Sequence, residues 1–399
     1  MPRKKKRGSA PGTLGPAGTG RTRGETRSAR LTAGRDGPAG GGRELAGRCF
    51  FPFDALPPEC QLHCFSFLSE VEKCRAALVC RDWSRLMRTS RLWRQADFAR
   101  LGACREAEGA SLPVAGDRER WRERVEDYAY HLTSRGASVL VLRASFDLGD
   151  PRSSWTQFLL RFLDQVNCRD LRELELNWTL TPLEPPPAHR PPSMTQVSLT
   201  KAEQVNNFQT LLEKLSRVSP GLCQANVPFD WSELSVKLLT GFQQLKTLEL
   251  KYFWVFKGVC PNTMQELTRA LPNLESLTLH VLIPVKDLEV TYPLESASLE
   301  FLDVSQSRGL VFSLLNLPRL KEMKVKKTIR GIILNRRTQL AVQSRWPCLY
   351  SLLQEGAPKL RTLNRHQLLP SWRQQAYSQL TEVLAQSCYC VQHSDTWLL

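Results

Sequence analysis

The stretch LKTLEL at residues 245–250 places apolar side chains at positions i, i+3 and i+5. Position i+5 lies about 140° around an α-helix from position i, so these three residues cannot form one helical stripe. The last two apolar residues flank a glutamate, and such alternation is typical of a strand with one buried face. The stretch therefore predicts a short strand whose alternate side chains enter a core.

The same pattern recurs along most of the chain. The clear copies begin at Leu171, Leu245, Leu274, Leu299 and Leu320. Weaker copies begin at Ala137, Met194, Leu222 and Leu360. From Leu171 to Leu320 the successive starts lie 21 to 29 residues apart, and helix-like segments precede several of them. The predicted unit is one strand and one helix per repeat.

This array resembles a leucine-rich repeat solenoid, whose repeats are about 20 to 29 residues long. The resemblance implies a stack of strand–helix units with an exposed strand or loop surface that binds another protein. The chain departs from the family after each strand, where an Asn or Cys normally stands. The residues at that position are Thr179, Phe253, Leu282, Ser307 and Thr328. The turn backbone must then be hydrogen bonded in another way, and an unrelated α/β domain is the alternative.

The segment PSWRQQAYSQLTEVLAQ at residues 370–386 predicts an amphipathic helix near the end of the array. Ser371 and Gln374 have capping-box spacing, and the apolar residues that follow fall on one face. Because a repeat array otherwise leaves its last apolar face in water, we interpret this helix as a terminal cap.

A different pattern occupies residues 50–98. In LPPECQLHCFSFL, residues 56–68, two prolines suit the first turn of a helix, and the apolar residues near them fall on two stripes. One stripe holds Leu62, Phe65 and Ser69, and the other holds Cys60, Cys64, Phe67, Leu68 and Val71. So small a module buries too little surface to be stable alone. A helix with two apolar sides therefore needs two partners.

Four ordered elements of this module resemble the F-box. They are Leu56-Pro57-Pro58-Glu59, the step from Phe65 to Leu68, Val79-Cys80-Arg81-Asp82-Trp83, and Leu92-Trp93. Cys60 stands where an aliphatic residue is usual, and residues 70–73 form a charged link. The resemblance implies a three-helix module that docks on the adaptor of an SCF (cullin-RING) ubiquitin ligase. A three-helix hairpin that packs only on its own chain is the alternative.

The resemblance also implies which residues contact the adaptor. These are Leu56, Pro57, Glu59, Leu62, Phe65, Leu68, Val79, Cys80, Trp83, Leu86, Leu92 and Trp93. Trp83 and Trp93 are the side chains best able to act as buried anchors. For Trp93, packing between the module and the following domain is an equally strong alternative.

The full chain carries a formal charge of +16, and its first 48 residues differ in composition from the rest. They hold 12 Lys and Arg against 3 Asp and Glu, and they contain no aromatic residue. Such a segment buries too little apolar surface to fold, so we predict a disordered basic tail. The run Arg3, Lys4, Lys5, Lys6 and Arg7 predicts a nuclear localisation signal, with a merely solvated run as the alternative. The expected location is the nucleus, the cytoplasm or both.

Several function classes find no support in the sequence. No apolar segment is long enough to span a bilayer, and none follows the basic start as in a signal peptide. The pairs Cys60/Cys64 and Cys388/Cys390 lack CxxC spacing, so no metal site is expected. No catalytic or nucleotide-binding motif is present, and we expect neither a cofactor nor a catalytic residue. The basic tail favours at most a weak, salt-sensitive contact with nucleic acid.

Together these patterns predict an α/β protein in four segments. They are the tail at 1–48, the F-box at 50–98, a charged connector and helix at 99–136, and the irregular leucine-rich repeat array with its capping helix at 137–399. The predicted function is substrate recognition in a ubiquitin ligase. The predicted partners are the adaptor, the cullin and RING subunits that the adaptor brings in, and an unknown target protein. The alternative is a nuclear leucine-rich repeat scaffold or nucleic-acid-associated protein that acts outside a ligase.

Overall fold

The fold is taken from a computed structural model of the 399-residue chain. The residues that it describes are 53–98, 115–147, 154–179, 194–253, 255, 258–327, 344–374 and 380–390. The predicted tail and its basic run lie outside these ranges. The chain divides after Phe53, and the elements from Asp54 onward belong to one unit.

Ten strands form one sheet, and they stand side by side in the order in which they occur along the chain. They are β1 (Gln95–Asp97), β2 (Val141–Asp147), β3 (Glu173–Thr179), β4 (Gln224–Phe229), β5 (Thr247–Tyr252), β6 (Ser276–Leu279), β8 (Phe301–Asp303), β10 (Glu322–Lys324), β11 (Thr362–Leu363) and β12 (His366–Gln367). All neighbours pair in parallel except β11 and β12. The remaining two strands, β7 (Tyr292–Glu295) and β9 (Phe312–Asn316), form a separate parallel pair.

Ten α-helices accompany these strands in the described part of the chain. They are α1 (Pro58–Ser66), α2 (Glu70–Ala76), α3 (Arg81–Leu86), α4 (Ala115–Ser134), α5 (Ser154–Gln165), α6 (Met194–Val218), α7 (Glu233–Leu239), α8 (Pro261–Ala270), α9 (Leu349–Gly356) and α10 (Thr381–Ser387). From β2 to β6 strands and helices alternate, and each helix from α5 to α8 packs against the next. None of these described helices combines the length and apolar character needed to cross a bilayer.

The pattern that begins with a leucine locates most strands correctly. Seven of the nine copies enter a strand two residues after their first residue, and the copy at Ala137 leads into β2. The copy at Met194 is wrong, because this residue opens α6. Beyond it the buried residues Gln204, Phe208, Leu211, Leu212 and Leu215 follow helical spacing, which a six-residue window does not reveal.

One row of buried apolar side chains runs through the sheet from strand to strand. In register it consists of Ala96, Leu142, Leu174, Ala225, Leu248, Leu277, Leu302, Met323 and Leu363. Each of these side chains is at most 3% exposed. Full burial of one leucine contributes roughly 1.5–3 kcal/mol, so this row fixes the register of the whole sheet.

Two polar side chains bond the turn backbone where the family's usual asparagine is missing. The Ser307 hydroxyl donates to the Leu279 carbonyl at 2.7 Å and accepts from the Val281 N–H at 3.1 Å. The Asn364 amide bonds both backbone groups of Val325, at 2.8 Å to the N–H and 2.7 Å to the carbonyl. Each side chain therefore links its own turn to that of the neighbouring strand.

The predicted terminal helix differs from the structure. Its start is a 3-10 turn at Trp372–Gln374, and its end is the short helix α10, while residues 375–379 lie outside the described ranges. The Trp372 indole N–H donates to the Leu360 carbonyl at 3.2 Å, and the Tyr350 hydroxyl donates to the Trp372 carbonyl at 3.1 Å. These bonds hold Trp372 in the turn, which explains why the capping-box spacing at Ser371 does not open an α-helix.

The end of α9 allows a direct test of this packing. A Cβ atom on Gly356 would lie 1.7 Å from the Leu315 carbonyl oxygen of β9, so the Gly356→Ala variant must push these backbones apart. We expect it to lower the free energy of unfolding by roughly 3 kcal/mol in urea denaturation. The matched Gly221→Ala variant meets no atom within 4 Å and should change stability by less than about 0.5 kcal/mol. Equal midpoints for the two variants would contradict the packing of α9 on β9.

Candidate docking site

The first helix of the module at residues 53–98 begins as the two prolines predict. Pro57 is the N-cap and Pro58 the first helical residue of α1, where a missing N–H costs no helical hydrogen bond. The Gln61 amide donates to the Leu56 carbonyl at 3.0 Å and fixes the approach to the helix. Because α1 ends at Ser66, the predicted stripes that extended to Ser69 and Val71 are wrong at those positions.

One side of α1 packs inside the module. Phe65 is buried, and its ring meets the half-buried Trp83 ring edge to face with centroids 4.9 Å apart. Leu62 is half-buried on the same helix, and α1 also contacts the 3-10 turn at Ser90–Leu92. This side of the helix therefore has its partner within the chain.

Four large apolar residues of the module are exposed to solvent. Phe67, Val71, Leu78 and Val79, here called the docking face, are 77%, 61%, 86% and 65% exposed. They are four of the ten large exposed apolar side chains in the described ranges, and all lie between residues 67 and 79. Exposed apolar side chains concentrated in this way mark an interaction site.

The charged link between α1 and α2 is part of the module's framework. Ser69 and Glu72 form a capping box, in which the Ser69 backbone N–H donates to the Glu72 carboxylate at 2.8 Å. Hydrogen bonds from the Ser69 side chain and backbone lower the pKa of Glu72. At the next helix the Cys80 sulfur accepts a hydrogen bond from the Trp83 backbone N–H at 3.4 Å and caps α3. The polar residues of this stretch hold the helix starts in place and leave the apolar ones outside.

Lys73 is a buried cation at the centre of the module. Only 8% of it is exposed, its ammonium group donates to the Leu92 carbonyl at 2.9 Å, and it lies 5.8 Å from the Trp93 ring centroid. Burial lowers the pKa of Lys73, and the nearby Glu70 carboxylate acts in the opposite direction. A lysine in this position fixes the 3-10 turn against α2.

Leu92 and Trp93 lie inside the chain. Both are buried, and Trp93, at 1% exposure, donates from its indole N–H to the Met87 carbonyl at 2.7 Å. Its ring also meets the His131 ring at 4.5 Å, and the Arg135 guanidinium lies 5.2 Å from its centroid. These contacts agree with the alternative role of Trp93, which is to pack the module on α4. Contact of Leu92 and Trp93 with an adaptor stays a prediction.

The other predicted contact residues divide by exposure. Pro57, Glu59, Val79 and Cys80 are exposed, Leu56, Leu62, Leu68, Trp83 and Leu86 are half-buried, and Phe65 is buried. Their contact with an adaptor stays a prediction. Sequence reasoning missed Leu78, the most exposed member of the docking face, because it lies one residue before the Val79-Cys80 element and outside it.

The module ends in a strand of the large sheet. β1 pairs in parallel with β2, and the Asp97 carboxylate lies 3.9 Å from the Arg143 guanidinium. Phe98 packs its ring against Tyr128 of α4 at 5.4 Å and against Phe162 of α5 at 5.1 Å. The predicted boundary at residue 98 therefore falls just after a shared strand, and module and sheet form one body.

Tyr128 adds a polar link at the same place. Its hydroxyl contacts the Glu70 carboxylate and lies 3.1 Å from the Gln95 carbonyl oxygen. Burial and the Glu70 carboxylate raise the pKa of Tyr128. The hydroxyl therefore stays protonated, and it joins α2, β1 and α4.

Comparison with known proteins agrees with this geometry. The F-box-like family matches residues 53–99, which are the three-helix module and its strand β1. No curated protein matches the chain. The module is therefore an F-box-like domain, a class whose presence indicates an adaptor-binding role in ubiquitin ligases.

His131 gives the junction a measurable pH dependence. It stacks on Tyr128, faces Trp93 and Arg135, and its Nε2 atom is buried without a hydrogen-bond partner among the described residues. Burial, and then the Arg135 charge, lower the pKa of His131 to about 4. The unfolded chain takes up this proton first, near pH 6.5, so the free energy of unfolding should fall from about pH 6.5 to pH 4.

We expect the His131→Phe variant, which keeps the ring packing, to lose this part of the pH dependence in urea denaturation. The control His63→Phe removes an exposed histidine of the same module and should leave the slope unchanged. A wild-type slope in the His131→Phe variant would contradict a buried neutral histidine at the junction.

Proposed function

We propose that this chain is the substrate-recognition subunit of an SCF (cullin-RING) ubiquitin ligase. The F-box-like domain binds the adaptor, through which the cullin and the RING subunit join, and the sheet array binds the target protein. The observation that carries this proposal is the docking face, four apolar side chains that the chain leaves exposed on a module whose residues Phe65 and Trp93 it covers.

The two sides of the module support docking on a partner. Phe65 and Trp93 face inward and are covered by their own chain, while Phe67 and Leu78 are exposed. Large apolar side chains in water gain free energy when a partner covers them, at about 25 cal/mol for each Å² removed from water. The F-box-like match supports an adaptor as that partner.

The consecutive order of the parallel strands supports the leucine-rich repeat interpretation of the array. Each repeat contributes one strand with a side chain in the buried row, and in most repeats a leucine lies two residues before that strand. Ser307 and Asn364 bond the turns in place of the usual side chains. In such an array every strand adds one outward side chain to a continuous surface.

The outward side chains next to the buried row form the surface that we assign to the target. This outer row consists of Arg143, Glu175, Asn226, Glu249, Thr278, Asp303 and Lys324, while Asp97, in register with Arg143, is buried. Arg143 lies 3.3 Å from Glu175, and the Asn226 amide donates to Glu249 at 2.8 Å, so several of these groups are held in fixed positions. Trp178, whose indole N–H donates to the Tyr252 carbonyl at 3.0 Å, adds an aromatic edge beside this row. Fixed polar groups with an aromatic neighbour suit recognition of a protein surface.

In this function the chain acts by position and is not itself an enzyme. It holds a target lysine close to the ubiquitin-conjugating enzyme, which raises the effective concentration of the reacting groups. Because β1 belongs to both the F-box-like domain and the sheet, the two binding surfaces keep a fixed relation, which supports this role.

Capture of the ligase subunits tests the proposal. The full chain should co-purify with the adaptor and the cullin, and Leu78→Asp or Val79→Asp should weaken adaptor binding at least about tenfold, since each places a charge in an apolar contact. The control Leu234→Asp changes an equally apolar exposed side chain on α7 and should bind normally. The Leu56→Ala/Pro57→Ala double variant should also lose the adaptor while the sheet stays folded by circular dichroism.

No capture of the adaptor by the wild-type chain would overturn the ligase function and favour a scaffold or nucleic-acid-associated protein. Equal losses in Leu78→Asp and Leu234→Asp would place the adaptor contact elsewhere than the docking face.

For the basic run at residues 3–7 we propose nuclear import. Replacing Lys4, Lys5 and Lys6 with Ala should reduce nuclear accumulation of the fluorescently tagged chain without affecting adaptor capture. The control replaces Arg21, Arg23 and Arg27 with Ala, which removes the same charge from the same tail. Equal redistribution of both variants would assign the effect to total charge and contradict a localisation signal.

A further inference from the structure

Three cysteines that are distant in the sequence meet at the C-terminal end of the array. The Sγ atoms of Cys348, Cys388 and Cys390 all lie within 4.8 Å of one another. Cys348 is the N-cap of α9, and Cys388 follows directly after α10, which packs against α9. Cys388 and Cys390 are buried, Cys348 is half-buried, and none of the three forms a disulfide. We call these residues the thiol cluster.

Short contacts connect the members of the thiol cluster. The Leu349 backbone N–H donates to the Cys388 sulfur at 3.3 Å, and the Cys388 and Cys390 sulfurs lie 3.2 Å apart. The three sulfurs are therefore close enough together to bind one ion.

Lys327 adds a positive charge beside these sulfurs. Its backbone N–H donates to the Gln386 carbonyl at 2.8 Å, and its ammonium group donates to the Ala385 carbonyl at 3.3 Å. Burial lowers the pKa of Lys327 to about 8, while Cys388 and Cys390 act to raise it. These bonds hold Lys327 against the end of α10, next to the segment that carries Cys388.

We propose that the thiol cluster binds a thiophilic divalent metal ion of the Zn²⁺ type. In a tetrahedral zinc site the Zn–S distance is about 2.3 Å, which sets the sulfurs about 3.8 Å apart, so the three thiols need only small shifts to reach it. N–H groups that donate to sulfur, as Leu349 does, are the usual outer support of metal thiolates. Binding of the ion displaces the protons of the thiols to solvent.

Three neighbouring thiols suit a metal ion better than they suit a disulfide. A disulfide between any two of these sulfurs would leave the third unused, whereas a tetrahedral ion uses all three and leaves one position for a fourth ligand. A water molecule can take that position. Spacing alone could not find this site, because the third ligand comes from the start of α9.

A metal here would tie the C-terminal segment to the array. Tyr389, between two of the cysteines, packs its ring against Trp346 at 5.7 Å, and both are buried with Val311. The ion would link this apolar cluster, α9 and α10 at the end of the sheet. This role is independent of the adaptor function.

Metal titration of the reduced full-length chain tests this site. After chelator treatment the chain should bind one equivalent of Co²⁺, with the thiolate charge-transfer and tetrahedral d–d bands, and Zn²⁺ should displace it. Cys348→Ser, Cys388→Ser and Cys390→Ser should each weaken binding by at least roughly a hundredfold. The control Cys260→Ser changes an exposed cysteine that caps α8 and should bind normally.

Protection of the thiols gives a second readout on the wild-type chain, in case a buried variant fails to fold. Zn²⁺ should block alkylation of Cys348, mapped by mass spectrometry, and leave Cys260 reactive. Three results would overturn the site: no Co²⁺ bands from the reduced chain, bands that persist when Cys348 and Cys390 are both replaced, or a disulfide between these cysteines that survives reducing purification.

Discussion

The parallel pairing of β1 with β2 is the interaction on which the rest of this structure depends. Through it the last residues of the F-box-like domain become the first strand of the sheet, and Ala96 starts the buried row that continues to Leu363. A flexible linker would let the F-box-like domain and the sheet sample many orientations. A shared strand removes that freedom, so in the proposed function the adaptor and the target keep a constant separation. A receptor that acts by proximity requires this constraint.

Polar contacts strengthen the junction without closing the docking face. Lys73 bonds the Leu92 carbonyl, Tyr128 contacts Glu70, and His131 stacks beside Trp93. Buried polar groups are costly unless each finds a partner, so they favour one packing arrangement over sliding alternatives. An apolar junction of the same size would tolerate more registers. The exposed apolar residues of the module therefore remain on the outside, as their high exposure shows.

Local pattern predicted the strands and the start of α1, because each depends on side chains only a few residues apart. It failed at Met194, where a matching six-residue pattern belongs to the long helix α6. It also missed β1, since Gln95, Ala96 and Asp97 show no strand pattern and become a strand only because β2 lies beside them. The thiol cluster was hidden for the same reason, because its members meet through the packing of α9 against α10. What sequence reasoning missed are the contacts between distant segments.

The two ends of the sheet are covered in different ways. An array of stacked strands leaves an unpaired edge and an open apolar face at each end. At the first end, the F-box-like domain covers the core and places its own apolar surface outward for a partner. At the other end the chain turns back through Asn364 and Arg365, both with positive φ, and adds the antiparallel strand β12, whose His366 and Gln367 are exposed. A short polar edge strand resists further pairing. The end that carries the F-box-like domain therefore presents an apolar surface to a partner, and the end that carries the thiol cluster resists further strand pairing.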